Sequence, residues 1–182
     1  MGTGRRLASR LFIIAGNASA GKDKIISAVR ELGSTHAQIV TKYTTRQETE
    51  EDGSEIVCKT RKDGTPNPAF SDKFDVCDIS YDRNGNTYRV NSTDIWEAMK
   101  DGLFQVVSVT EADPINQLKT KFGSSVVLIY VHSDSITPPI ELSLFVNNFD
   151  KFDHVLIYED NYEDLYDQLF RLFRAYEKGF IR

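Results

Sequence analysis

Gly16-Asn17-Ala18-Ser19-Ala20-Gly21-Lys22-Asp23 decides the fold of this chain. The apolar run Leu11-Phe12-Ile13-Ile14-Ala15 leads into it, and the helical pattern Lys24 to Leu32 leads out of it. An apolar strand that ends at a glycine, turns through small residues and opens a helix makes a phosphate cradle. Its backbone N–H groups converge on an anion at the positive end of the helix. Gly16 and Gly21 stand where the chain needs backbone angles and close approaches that a Cβ would obstruct. Lys22 is then placed to reach the β- and γ-phosphates of a nucleotide as a point charge. The position after the lysine usually carries a Ser or Thr that ligates magnesium, and here it is Asp23. A carboxylate there has three readings: a magnesium ligand, a first-turn acid favoured by the helix dipole, or a charge that repels phosphate and weakens the site.

Outward from the loop, Ile25, Ile26, Ala28, Val29 and Leu32 give the first helix an apolar stripe, and Gly33 stops it. Ala37 to Val40 reads as a short buried strand. Its exit, Thr41-Lys42-Tyr43-Thr44-Thr45-Arg46, is rich in hydroxyls and cations at the edge of the sheet where ligands bind in open α/β folds. Gln47 to Phe74 has too few apolar residues for core and reads as a loop-like excursion. Asn84-Gly85-Asn86 is a turn signal between Asp75 to Ser80 and Thr87 to Val90, which predicts a hairpin. Asn91, Ser92 and Thr93 are candidate caps for a helix through Met99 and Lys100. Phe104 to Val109 and Val126 to Val131 are wholly apolar strands, with a helix between them that Pro114 opens and Gly123 closes. Pro138-Pro139 precedes a predicted short helix from Glu141 to Phe149. His154 to Tyr158 is a last strand, and Asp164 to Tyr176 is a closing amphipathic helix. Continuous apolar strands alternating with helices predict a parallel sheet covered on both faces, and together with the loop Gly16 to Lys22 this α/β arrangement resembles the P-loop NTPase type.

The bulk composition bounds the function. At 182 residues, 40% hydrophobic and 27% charged, the chain is expected to form one globular domain, residues 1–182. Its core would be 11–46 and 103–176, with the excursion at about 47–91. A net charge of −5 argues against a broad nucleic-acid-binding face. Cys58 and Cys77 match no zinc or C-x-x-C spacing and read as free thiols in a reducing compartment. No apolar run approaches the ~20 residues that span a bilayer, no signal-peptide pattern precedes Leu11, and the start lacks the hydroxyl of a myristoylation signal. A cytoplasmic protein without a membrane partner is the expectation.

Three separated pieces, the loop Gly16 to Lys22, the stretch Lys42-Tyr43-Thr44-Thr45-Arg46 with Glu51-Asp52-Gly53, and Phe152-Asp153-His154-Val155-Leu156-Ile157, together resemble the guanylate kinase family. That family carries a phosphate loop, a Ser-x-Thr-Thr-Arg segment leading to an Asp-Gly turn, and a Phe-Asp-x-Val-Ile strand in this order. Gly-Lys-Asp at the end of the loop also resembles ribose 1,5-bisphosphate phosphokinase, a relative of that family. The resemblance implies ATP and Mg²⁺ as cofactors, with Asp23 on the metal and a small acceptor-binding excursion. It places an acceptor phosphate on Arg46 and Tyr88, among Lys42, Thr44 and Thr45, with Asp78 or Asp75 in the region of the guanine-reading carboxylate. A planar guanidinium suits phosphate because it offers two parallel donors, although an ion pair with a nearby glutamate is the plainer use of Arg46. A hairpin tyrosine such as Tyr88 also serves as half-buried packing.

The chain departs from the family pattern at several points. The serine before Thr-Thr-Arg is Lys42, the second arginine is Thr49, the tyrosine after the turn is Ile56, and a serine past the hairpin tyrosine is Val90. The Asp-x-Asp strand end is Ser108-Val109-Thr110, with Glu111 and Asp113 close by. Residues 133 to 150, where the arginine-rich lid should lie, contain no arginine. Phosphoryl transfer relies on positive charge around the moving group, so Lys42, Arg83 or Arg89 would have to supply it. Two functions follow as expectations: an ATP-dependent phosphotransferase acting on a nucleoside monophosphate or related phosphorylated small molecule, GMP first, or a catalytically silent nucleotide-binding or protein-interaction module.

Overall fold

The computed structural model describes residues 9–16, 21–32, 37–133 and 151–181. Its main sheet has five strands: β1 (Leu11–Gly16), β2 (Ala37–Ile39), β7 (Phe104–Val109), β8 (Val126–His132) and β9 (His154–Ile157), in the order β2-β7-β1-β8-β9. Every pairing in it is parallel. The central strand β1 is buried along its whole length, which is why its sequence is apolar without alternation. Its side chains still divide by parity. Phe12 and Ile14 face a core with Ile25, Ile26 and Val29 of α1 (Lys22–Glu31) and Leu165, Leu169 and Phe173 of α5 (Tyr162–Glu177). Leu11, Ile13 and Ala15 face the opposite core, with Ile95 and Met99 of α3 (Ser92–Lys100) and Ile115, Leu118 and Phe122 of α4 (Ala112–Phe122). The Phe12 ring lies 4.7 Å from Phe173 and 5.2 Å from both Phe104 and Tyr176, a four-ring cluster within this first core.

Residues 42–90 build a second sheet. Its strands are β3 (Lys42–Gln47), β4 (Ile56–Thr60), β5 (Ile79–Arg83) and β6 (Asn86–Val90), in the order β4-β3-β6-β5, with β3 and β4 parallel and the other pairings antiparallel. Thr41 to Arg46 is therefore largely a strand of this second sheet, and the stretch from Gln47 to Phe74, expected as loop, contains β4 and the one-turn α2 (Ser71–Phe74). In β4 the apolar run is short, Ile56-Val57-Cys58, Cys58 alone is buried, and the strand is held by backbone pairing to β3. The hairpin forms around Asn84-Gly85 as expected, with both residues at positive φ, but its first strand begins at Ile79 instead of Asp75. Ile79 and Val90 belong to the same core as Leu11 and Ile13, so the two sheets share packing.

Two glutamines bond to one outer strand of each sheet, β5 and β9. Gln117 of α4 donates from Nε2 to the Ser80 carbonyl at 2.8 Å and accepts the Ser80 N–H at 3.2 Å. Gln168 of α5 does the same at Ile157, with contacts of 2.8 and 3.0 Å. Asn91 caps α3 through the Thr93 N–H, and Asn161 caps α5 through the N–H groups of Glu163 and Asp164. The helix expected from Glu141 to Phe149 and the lid region lie outside the described residues.

Candidate functional site

The two ends of the phosphate loop are fixed by β1 and α1, and residues Asn17, Ala18, Ser19 and Ala20 between them lie outside the described residues. Gly16 has φ 144°, and a Cβ on it would stand 2.7 Å from the Val131 carbonyl oxygen of the neighbouring strand. Gly21 has φ 89°, and a Cβ there would meet the Tyr158 ring at 2.6 Å. Both positions therefore demand glycine through conformation and space together. Lys22 is buried, with 5% of its surface exposed, and donates from Nζ to the Gly16 carbonyl at 2.5 Å and to Thr110 Oγ1 at 2.7 Å. Its ammonium is thus drawn to the ends of β1 and β7. Asp23 is exposed on the first turn of α1.

Two further cations reach the same edge from the second sheet. Lys42, the first residue of β3, donates from Nζ to the Ser108 carbonyl at 3.0 Å and to Ser108 Oγ at 3.1 Å. Burial lowers its pKa, against the pull of Glu55, Glu111 and Asp23, while Arg83 adds to the lowering. Arg83, the last residue of β5, donates from Nη1 to Thr110 Oγ1 at 3.4 Å and pairs with Glu111 at 3.2 Å. The other carboxylate oxygen of Glu111 accepts the Thr110 N–H. Asp113 is turned to Gln117 along α4. Of the three cations named as replacements for lid charge, Lys42 and Arg83 converge on Ser108 and Thr110. Arg89 does not: it lies over the Phe74 ring at 4.4 Å and donates to the Phe74 carbonyl.

The remaining candidates form a separate network in the second sheet. Arg46 grips the carboxylate of Asp52 with both terminal nitrogens, the Nη1 contact being 2.6 Å, and Nη1 also donates to the Gln47 carbonyl at 2.9 Å. Its Nε donates to the Tyr88 hydroxyl at 3.1 Å. Tyr88 in turn stacks on Tyr81 with centroids 5.4 Å apart. Asp52 is nearly enclosed, its side chain 6% exposed, and takes further bonds from the Thr49 N–H and hydroxyl. Burial works to raise the Asp52 carboxyl, but the bonds from Arg46 and Thr49 outweigh it and hold the pKa below the usual range. Thr44 is fully buried, with Oγ1 3.5 Å from the Arg46 N–H, and Thr45 Oγ1 accepts the Thr87 N–H at 3.0 Å.

Asp78 is placed elsewhere. Its carboxylate accepts from the Ser92 N–H and hydroxyl at the start of α3 and pairs with Lys121 of α4. Burial pushes its pKa up, yet Lys121 and Ser92 hold it at about 2. Sequence reading missed three partners: Asp52 for Arg46, Lys121 for Asp78, and Thr110 as the oxygen shared by Lys22 and Arg83. Asp52 was within reach as an acid six residues from the arginine, whereas the other two join segments far apart in the chain.

Magnesium does not fit this sheet edge well. The hydroxyls at 108 and 110 already receive cationic donors, Glu111 is engaged, and Asp23 remains as an exposed carboxylate beside them.

No protein-family model matches the chain, and comparison with curated proteins gives no match. Among solved structures it is similar to a guanylate kinase from Anaplasma phagocytophilum, with a TM-score of 0.63 and 12% identity, covering 92% of this chain and 86% of that one. A de novo designed P-loop fold protein also aligns, at 13% identity over 94% of this chain and 96% of that one, with a TM-score of 0.46. The chain has a guanylate-kinase-like fold, as the three sequence pieces implied. None of its described helices is long and apolar enough to cross a membrane.

Proposed function

We propose that the chain is a phosphotransferase of the guanylate-kinase-like class, moving the γ-phosphoryl group of ATP to a nucleoside monophosphate or a related phosphorylated small molecule. The observation that carries this reading is the convergence of Lys22, Lys42 and Arg83 on Ser108 and Thr110. Phosphoryl transfer asks the protein for position and positive charge, and here the second sheet brings that charge to the end of the phosphate loop. Residues 16–23 would hold the phosphate chain. Thr44, Thr45, Arg46 and Tyr88 would bind the acceptor, whose phosphate must then compete with Asp52 for the guanidinium.

That competition favours a second reading, in which Arg46 is a structural part and the chain is a catalytically silent module that keeps only nucleotide or partner binding. Coupled detection of ADP separates the two. ATP with GMP is the first assay, followed by ribose bisphosphates and other monophosphates. Under the transferase reading one acceptor turns over, and Arg46→Ala lowers turnover roughly 10²-fold, the scale of losing one stabilising donor. If none turns over while ATP still binds, the silent module stands.

A further inference from the structure

We infer that the phosphate end of this protein takes its anion without magnesium: Lys22, Lys42 and Arg83, set on Ser108 and Thr110, occupy the role of a carboxylate-held divalent ion. The inference rests on the phosphate-binding part of the proposed function and goes beyond it by naming bare polyphosphate, not its magnesium complex, as the ligand.

The argument begins at one hydroxyl. A threonine oxygen has two lone pairs and one hydrogen. Thr110 Oγ1 accepts from Lys22 Nζ at 2.7 Å and from Arg83 Nη1 at 3.4 Å. With both lone pairs directed at cationic donors, none is left for a metal, and the O–H is the group that remains to be used. A hydroxyl donor flanked by an ammonium and a guanidinium matches an oxyanion. At Ser108 one ammonium, that of Lys42, lies on both the hydroxyl and the carbonyl.

The charges near this edge point the same way. One oxygen of Glu111 is on Arg83 and the other accepts the Thr110 N–H, so that carboxylate already serves the cluster. Asp113 is held by Gln117. A divalent ion here would meet three positive side chains at short range, whereas a phosphate would relieve the mutual repulsion of those side chains. Both Lys42 and Arg83 arrive from the second sheet, on β3 and β5, so the anion site is assembled across the two sheets.

The test is calorimetric titration of the full chain with sodium tripolyphosphate and with ADP, once in EDTA and once in millimolar magnesium. The expected result is binding in EDTA at least as tight as in magnesium. Binding at least about tenfold tighter with magnesium, and lost in Asp23→Asn, overturns the inference and makes Asp23 a metal ligand. Absence of binding by either probe under both conditions is a different failure, which removes the phosphate-binding reading itself. Thr110→Asp restores a carboxylate to the edge and is expected to weaken tripolyphosphate in EDTA by about tenfold, with magnesium recovering it. A variant that folds and keeps the parent's ratio counts against the inference. Should Thr110→Asp not fold, Arg83→Gln serves: affinity in EDTA should fall by about tenfold with a shallower salt dependence, and unchanged affinity overturns the proposal.

Discussion

The two basic regions of this molecule hold their charge in opposite ways. In the second sheet, one guanidinium is gripped by one enclosed carboxylate, and Arg46 and Asp52 satisfy each other in bidentate geometry. At the ends of β1 and β7, Lys22 and Lys42 donate to hydroxyls and carbonyls, and Glu111 reaches Arg83. A neutral oxygen is a weaker claim on a cation than a carboxylate, because it lacks the attraction of a full opposite charge. An incoming phosphate can replace the first kind of contact at low cost. It must break an ion pair to replace the second. Under the proposed function the sheet edge would take the anion, whereas Arg46 also fastens its own turn through Asp52.

The largest effect that tests this contrast is Lys22→Ala. Loss of its ammonium should weaken ATP binding by roughly 10–10²-fold, the equivalent of one hydrogen bond to a charged group at about 1.5–3 kcal/mol. Calorimetry at millimolar nucleotide reads it directly, and full-strength binding by the variant would end the contrast.

Arg46→Ala should cost stability in addition to the turnover expected of it under the transferase reading. Removing one member of a buried pair costs about 3–5 kcal/mol. Because 20% of the Arg46 side chain is exposed, a loss of about 2–3 kcal/mol is expected by denaturant unfolding. Arg46→Ala combined with Asp52→Ala should recover part of that loss, since the second change removes the stranded carboxylate. A strictly additive double variant would show that the pair is not coupled.

A smaller effect concerns pH. The pKa of Asp78 is held at about 2 in the folded chain, against about 3.9 when unfolded. Its contribution is complete above the unfolded value and is lost as pH falls from about 4 towards 2, because protonation then favours the unfolded chain. Asp78→Asn should flatten the stability profile in that window and leave ATP affinity unchanged. A loss of GMP binding in this variant would instead return Asp78 to the acceptor site.

How much of this was legible in the sequence depended on the range over which the determining contacts act. Strands β1 and β7 and helix α5 were readable because apolar runs and helical periodicity are local signals, and Phe104 to Val109 matches β7 residue for residue. The strand Ile56–Thr60 was missed although Ile56-Val57-Cys58 is an apolar run, because that run is only three residues long and stands among polar and charged neighbours. In the candidate site, Lys22, Lys42 and Arg83 could be nominated by charge. Their meeting at Ser108 and Thr110 could not, since it depends on how β3 and β5 approach β7. The substitution of hydroxyls for carboxylates at 108 and 110 read as a loss. In three dimensions it is a change of sign.

The glutamine amides on Ser80 and Ile157 have a consequence for how this chain behaves in a crowd. A primary amide carries the same donor and acceptor as a peptide unit, so Gln117 and Gln168 each imitate one residue of an added strand. An outer strand with open N–H and C=O groups is a template for pairing with another molecule, and β9 also bears Val155 and Ile157 at 41% and 47% exposure. With the template interrupted near its end, a foreign strand cannot run in register past Ile157 without first displacing Gln168. Helices α4 and α5, which help bury the faces of the main sheet, thus also interrupt one rim of each sheet, at β5 and at β9, as a nucleus for aggregation.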